Sequence, residues 1–222
     1  MKIKHFVFNP LAENCFVAWD DSGECVIVDP GCMGGESSMI VRLVEKEGLK
    51  PVAILLTHGH FDHIYGVKEL QDRYGIPVYL HKADKDILGF NIEFSACFGF
   101  PAPDCSFSCT AAEEGDTVKM GGLVFKAIYT PGHTPGGLCW YCEEEKILFS
   151  GDTLFSGSIG RTDNMYGDYD SLMAGINGKL MEMDGDIDVL CGHGPATTIA
   201  DERQKNPFLL PFNEPFQDDF LS

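Results

Sequence analysis

Three observations predict an α/β fold for this 222-residue sequence. Short apolar runs rich in Val, Ile and Phe recur along it, and several end in loops that carry Gly with His or Asp. Between about residues 25 and 81 these runs alternate with stretches of helical apolar spacing, the strand-helix-strand pattern of α/β chains. The second half instead pairs neighbouring runs across short turns, as hairpins do.

Taken in order, strands are expected at residues 3–8, 15–19 and 25–29, divided by Asn/Pro and Asp/Ser/Gly turn signals and closed by Asp29-Pro30-Gly31. Ser37 is placed to cap a helix whose Met39, Ile40, Leu43 and Val44 follow helical spacing and which Gly48 stops. A strand at 52–57 leads into a histidine-rich loop. Ile64, Val67, Leu70 and Tyr74 then mark one amphipathic helix ended by Gly75, with Pro77 ahead of a strand at 78–81. From about 90 to 115, Phe90, Phe94, Phe98, Phe100 and Phe107 sit among Gly, Pro and Ser without a clear period, so a long loop is expected.

Strands at 117–120 and 123–129 flank Gly121-Gly122, and a second pair at 138–142 and 147–150 flanks an acidic turn. A helix near 170–181, a strand at 187–191 and a short helix after Thr198 complete the expected elements. With no repeat, low-complexity tract or linker, the reading is one domain over residues 1–222 with a short Pro/Phe/Asp tail from about 209.

Composition narrows the functional classes. Apolar residues make up 44% and charged residues 23%, which suits a folded globular chain. Sixteen basic residues against 34 acidic ones leave a net charge of -18 and no basic cluster, which argues against nucleic acid and against an anionic membrane surface. No apolar run reaches the roughly 20 residues of a spanning helix, and no signal-peptide core follows the basic Met1 to His5 start. The nine cysteines show no disulfide framework, so reduced thiols, a cytoplasmic location and a small-molecule substrate are expected. Cys139 and Cys142 have redox-motif spacing but lie in a run that reads as a strand. Nothing in the sequence indicates an oligomeric state.

The densest chemical signal is Thr57-His58-Gly59-His60-Phe61-Asp62-His63, three imidazoles and a carboxylate after an apolar strand and ahead of a helix. Alternate side chains of an extended segment point the same way, so His58 and His60 can address one point while Asp62 and His63 turn toward another. Pro131-Gly132-His133-Thr134-Pro135, Ser150-Gly151-Asp152-Thr153 and Gly192-His193-Gly194-Pro195 each put one further His or Asp at a strand end. Taken singly, each is as well explained by a turn or a helix cap.

Together and in this order, these segments resemble the metallo-β-lactamase fold superfamily. The resemblance runs from Val26-Ile27-Val28-Asp29-Pro30-Gly31 to the stretch at 202–208 and is similar to the glyoxalase II-like hydrolase branch. It implies a four-layer αβ/βα sandwich. It also implies that His58, His60 and His133 bind one metal and Asp62, His63 and His193 a second, with Asp152 bridging them. Asp62 and Asp152 are the two carboxylates it assigns to catalysis, Asp152 positioning instead of attacking. Asp29 either closes a strand-end turn or orients a ligand histidine.

The implied cofactor is a pair of divalent ions held by nitrogen and oxygen alone, which suits Zn2+ while leaving Fe and Mn open. Such a pair supplies a bridging hydroxide near neutral pH, and a thioester such as S-lactoylglutathione or a related acylated thiol fits, because a thiolate leaves without prior protonation. At 222 residues the chain is expected to be too short for the C-terminal helical substrate-binding region usual in glyoxalase II, and the usual glutathione contacts are not recognisable.

Gly160-Arg161-Thr162-Asp163 resembles persulfide dioxygenases of the same superfamily, so a mononuclear-iron enzyme using His58, His133 and Asp152 is the alternative. A non-catalytic metal-binding protein is the third reading. A β-lactamase, a nuclease and a nitric-oxide-reducing diiron protein fit less well, the last because an acidic residue would stand at His60. Arg161 has two readings, an anion contact or an ion pair with a nearby Asp. The Phe90 to Phe107 segment likewise either lines the site mouth or packs on the sandwich.

Overall fold

In the computed structural model, residues 1–210 are described. Apart from Leu209 and Leu210, the expected tail lies outside the described residues.

The first half builds a six-stranded sheet in chain order: β1 (Lys2–Phe8), β2 (Glu13–Trp19), β3 (Glu24–Val28), β4 (Lys50–Leu55), β5 (Val78–Leu80) and β6 (Cys109–Ala111). β1 to β3 are antiparallel, and β3 to β6 are parallel. The parallel steps are crossed by helices α1 (Ser37–Glu47), α2 (Phe61–Ile64), α3 (Val67–Tyr74) and α4 (Lys85–Cys97). The second sheet holds β7 (Thr117–Met120), β8 (Leu123–Tyr129), β9 (Leu138–Cys142), β10 (Ile147–Gly151), β13 (Asp188–Cys191) and β14 (Thr197–Thr198). β11 (Leu154–Phe155) and β12 (Ser158–Ile159) form a small separate hairpin, α5 (Tyr169–Gly178) and α6 (Ile199–Lys205) complete the described α-helices, and short 3-10 turns lie at Lys82–Asp84 and Leu180–Glu182.

Side-chain alternation divides the apolar residues into three interlayer cores. On β2, Cys15 and Val17 pack with Ile40 and Val44 of α1 and Val67 and Leu70 of α3. Phe16 and Ala18 face the other way, toward Phe125, Ala127 and Trp140 of the second sheet. Behind that sheet, Cys139 and Leu148 meet Leu172 and Ile176 of α5 and Ile199 of α6. The layers therefore run helix, sheet, sheet, helix, the four-layer αβ/βα sandwich. Strands covered on both faces read as unbroken apolar runs, which is why β3 and β4 are so plain in the sequence.

Two bonds stitch the sheets together where the site lies. The buried Trp140 Nε1 donates to Leu56 O at 3.0 Å, and Leu138 N donates to Thr57 O at 2.8 Å.

Several expectations are corrected. The stretch expected as a loop from about 90 contains most of α4, and β6 follows within it. Ile87, Asn91 and Ser95 make the buried face of α4, while along the adjacent one Phe90 stacks on Phe94 and Phe94 meets Phe98 edge to face. Polar residues on the inward face and phenylalanines beside it hide the single apolar stripe that periodicity detects. The single helix expected from Ile64 is two, broken where Gly66 N donates to Pro30 O at 2.8 Å and where a Cβ would meet Cys32 Sγ at 2.0 Å. Ser37 is the first helical residue, not a cap; its hydroxyl donates to Glu69 Oε2. Cys139 and Cys142 face different cores and all nine cysteines are free thiols. Among the described residues no helix is long and apolar enough to cross a membrane.

Candidate metal centre

The loops after β3, β4, β8, β10 and β13 converge at one end of the sandwich and bring together His58, His60, Asp62, His63, His133, Asp152 and His193. Three groupings have ligand atoms within 4.8 Å of one another: His58, His60 and His133; Asp62, His63 and His193; and His58, His63 and Asp152.

Each loop is held by its own backbone chemistry. Asp29 ends β3 at φ 45°, a left-handed conformation that Asp tolerates better than most residues. Its carboxylate accepts from Thr57 N at 2.7 Å and Thr57 Oγ1 at 2.6 Å, and its Oδ2 lies 3.1 Å from His63 Nδ1. The reading of Asp29 as the group orienting a histidine is thus the one this geometry favours. Gly151, at φ 49°, brings the Asp152 loop so close to β4 that a Cβ would stand 2.2 Å from Thr57 Oγ1.

Four histidines are oriented from one nitrogen and leave the other facing the cluster. The Nδ1 of His58 lies 3.0 Å from Thr57 Oγ1 and that of His63 meets Asp29, while His133 and His193 use Nδ1 against the carbonyls of Arg161 at 2.8 Å and Leu11 at 3.1 Å. This is the arrangement that fixes tautomer and ring plane in metal-binding histidines. His60 turns its Nδ1 inward, 2.9 Å from His133 Nε2. Asp152 faces the groups together, with Oδ1 3.4 Å from His63 Nε2 and Oδ2 3.4 Å from His133 Nε2.

His58 Nε2, His63 Nε2 and Asp152 Oδ1 are buried with no hydrogen-bond partner. Buried polar atoms are otherwise almost always paired, and a cation coordinated among them would satisfy all three, so the donor set fits a divalent metal.

The electrostatics point the same way. Burial raises the Asp152 carboxyl, but the facing His63, then His193 and His133, hold it well below the usual range. Burial, reinforced by His63 and His60, pushes His58 well down, leaving a neutral imidazole suited to coordination. Glu13, fully buried beside His63, is pushed well up by burial.

A cavity of about 360 Å³ opens over the cluster. Phe61, Phe94, Phe98, Phe155 and Ile159 give it an apolar side, and Arg161 and Asn164 a polar one. The Phe94 ring lies tilted 5.2 Å from the His60 ring and with Phe98 lines the site, whereas Phe107 of the same segment packs into the apolar core between the helices and the first sheet. Arg161 Nε donates to Asp163 Oδ1 at 2.7 Å in an exposed pair. Its carbonyl, through His133, touches the cluster more directly than its charge does.

Asp84 was not legible in the sequence. Fully buried at the N-terminus of α4, it accepts from Gly59 N at 2.8 Å, Thr134 Oγ1 at 2.9 Å and Gly136 N at 2.5 Å, tying the His58-Gly59-His60 segment to the His133 loop. A lone Asp before a helix reads as a cap, and its partners lie 25 to 52 positions away.

If the cluster binds metal, adding Zn2+ to chelator-treated protein raises Tm. At a free concentration about 1,000 times Kd the stabilisation is about 4 kcal/mol, on the order of 10 °C for a chain of this size. Calorimetric scans with and without the ion check it.

Residues 8–193 match the Metallo-beta-lactamase superfamily. Hydroxyacylglutathione hydrolase GloC of Haemophilus influenzae is 36% identical over 215 residues, covering 94% of this chain and 98% of GloC. The probable metallo-hydrolase YqgX of Bacillus subtilis is 36% identical over 219 residues, covering 96% and 100%. Among solved structures, BLEG-1 B3 metallo-beta-lactamase superposes with a TM-score of 0.87 at 38% identity, covering 94% of this chain and 100% of that one. TTHA1623 in a di-iron-bound form superposes with a TM-score of 0.83 at 35% identity, covering 93% and 100%.

Proposed function

The chain belongs to the metallo-beta-lactamase superfamily, and from that premise we propose that it is a hydrolase of thioesters, S-lactoylglutathione or a related acylated thiol, working with two divalent metal ions. The observation that carries this reading is the cluster of seven His and Asp side chains, three of its atoms buried and unpartnered, on the floor of a cavity with an apolar side.

In this proposal His58, His60 and His133 would hold one ion and Asp62, His63 and His193 the other, with Asp152, whose carboxylate faces both groups, available to either. Zinc is proposed from the all-nitrogen and oxygen donor set, with iron, the metal of the TTHA1623 structure, as the nearest competitor. Bound there, two divalent ions polarise an acyl carbonyl and lower the pKa of water to about 7.

The chain's own residues then orient and enclose. Asp29, Thr57 and the carbonyls of Leu11 and Arg161 keep four imidazoles in register, and Asp62 and Asp152 supply the negative charge that balances the ions. Outside the cluster, the described residues lining the cavity include no carboxyl, imidazole or thiol that could protonate a departing nitrogen. A thiolate needs no such acid, since thiols ionise at about 8.5, which favours a thioester over an amide. The nine free thiols support a reducing, cytoplasmic setting, and the net charge of -18 supports a small-molecule substrate over nucleic acid.

The aromatic side of the cavity has a measurable consequence. Phe94→Ala removes the ring beside His60 and exposes the floor to water, so kcat/KM for a thioester with an apolar acyl group falls about 10- to 100-fold, corresponding to roughly 1.5–3 kcal/mol of lost burial. An unchanged substrate range across an acyl series would count against the wall as a selector.

The function is tested by elemental analysis of anaerobically purified protein, followed by assays of that sample on S-lactoylglutathione with and without oxygen and on a β-lactam. Two ions per chain with oxygen-independent thioester cleavage is the expected result. One tightly held iron, oxygen consumption on glutathione persulfide and no thioester cleavage would overturn it in favour of a dioxygenase, and preferential β-lactam cleavage in favour of a β-lactamase.

A further inference from the structure

Glu13 begins β2 with its side chain fully buried, and neither carboxylate oxygen has a hydrogen-bond partner. Its Oε1 lies 4.0 Å from His63 Nδ1, the nitrogen that Asp29 Oδ2 approaches at 3.1 Å from another strand. Gly31 closes the opposite side so tightly that a Cβ there would stand 2.3 Å from Glu13 Oε2. The backbone of Glu13 bridges to that of His193. The neighbouring Asn14 secures this register, its N–H donating to Gly192 O at 2.7 Å and its side-chain amide to the carbonyls of Cys191 and Gly194. Glu13 therefore stands behind His63, on the strand that also holds the His193 loop.

A carboxyl group kept dry without a donor opposes folding, and a side chain of the same size without charge would fill the space at less cost. The acid acquires a use only if positive charge enters the cluster through His63. No hydrogen bond or ion pair among the described residues joins Glu13 to His58, His60 or His133, so its influence is directed at one half of the cluster. A carboxylate buried beside a coordinating imidazole raises the basicity of the ring through its charge, while Asp29, in hydrogen-bond contact, fixes the ring plane.

We propose that Glu13 is a positioning residue for the metal held by Asp62, His63 and His193, acting through His63, so that the two metal positions differ in their dependence on it. The inference rests on the two-ion reading above.

The test uses the full chain as wild type, Glu13→Gln and Glu13→Leu, stripped with chelator and titrated with Zn2+ against a chromophoric competitor, with stoichiometry from elemental analysis and Tm of the metal-free proteins. Wild type is expected to bind two ions. Both variants should hold one ion as tightly as wild type and the other about 10- to 100-fold more weakly. Metal-free Glu13→Leu should melt roughly 2–4 °C higher, because an unpartnered buried carboxyl has been removed. A folded Glu13→Gln that binds both ions as wild type does overturns the inference alone. Equal weakening of both ions with a lowered metal-free Tm also overturns it, because that pattern marks a purely structural role. A wild type that takes up one ion overturns the two-ion reading and this inference with it.

Discussion

Alanine in place of Asp152 is expected to lower kcat/KM for thioester hydrolysis by at least about 10³-fold, corresponding to about 4 kcal/mol of transition-state stabilisation. The carboxylate faces members of both histidine groups, at 3.4 Å from His63, 3.4 Å from His133 and 3.7 Å from His193. Those histidines together hold its carboxyl well below the usual range against the effect of burial, so it carries a full negative charge amid converging imidazoles. On the proposed two-ion reading, removing it would take a negative charge from between the two histidine groups, and the site should lose metal as well as rate. Asp152→Asn, which keeps the shape and discards the charge, should fall nearly as far. Steady-state kinetics with metal analysis of both variants decide the point: a tenth or more of wild-type activity with both ions retained would remove Asp152 from its proposed role.

Asp84→Ala should carry the largest cost to stability, about 3–5 kcal/mol, with Tm lower by on the order of 10 °C. Three donors converge on this carboxylate, two of them backbone N–H groups of the loops that bear His58, His60 and His133, and truncation leaves all three buried and unpaired. Burial pushes its carboxyl up to about 6 despite those donors, so at neutral pH the group is still the anion they require. Asp84→Asn should lose less, since the amide oxygen can keep the Gly59 and Thr134 bonds while its NH2 opposes Gly136 N–H. Because the latch sets the spacing of the His58, His60 and His133 group, metal affinity should weaken about 10- to 100-fold alongside the melting point. An alanine variant melting within 2 °C of wild type, about 1 kcal/mol or less, with unchanged zinc binding would show that the loops hold their places without it.

The metal cluster was legible because its chemistry is local: His58, His60, Asp62 and His63 occupy six consecutive positions, and His133, Asp152 and His193 each follow a strand recognisable by its own apolar run. The central strands were legible for the same reason, since burial on both faces leaves Val, Ile and Leu unbroken. Where α4 lies, locality failed. Its inward face carries Asn91 and Ser95, and Phe90, Phe94 and Phe98 contact one another along the adjacent face, so no single stripe marked a helix. Asp84 and Glu13 escaped for a different reason: a single acidic residue has no pattern, and the groups each one faces belong to segments far away in the chain.

The amino-acid order alone determined the α/β class, the strands of both sheets that form the central core, and the set of His and Asp side chains able to coordinate metal. Each of these follows from periodicity or from residue type over a few neighbouring positions. Only the tertiary structure decided which nitrogen of each imidazole faces the cluster, that Asp29 and Glu13 stand behind His63, that Asp84 joins two distant loops, and that an aromatic helix walls the cavity. Those features depend on distances between segments far apart in the chain, and such distances exist only once the two sheets have packed face to face.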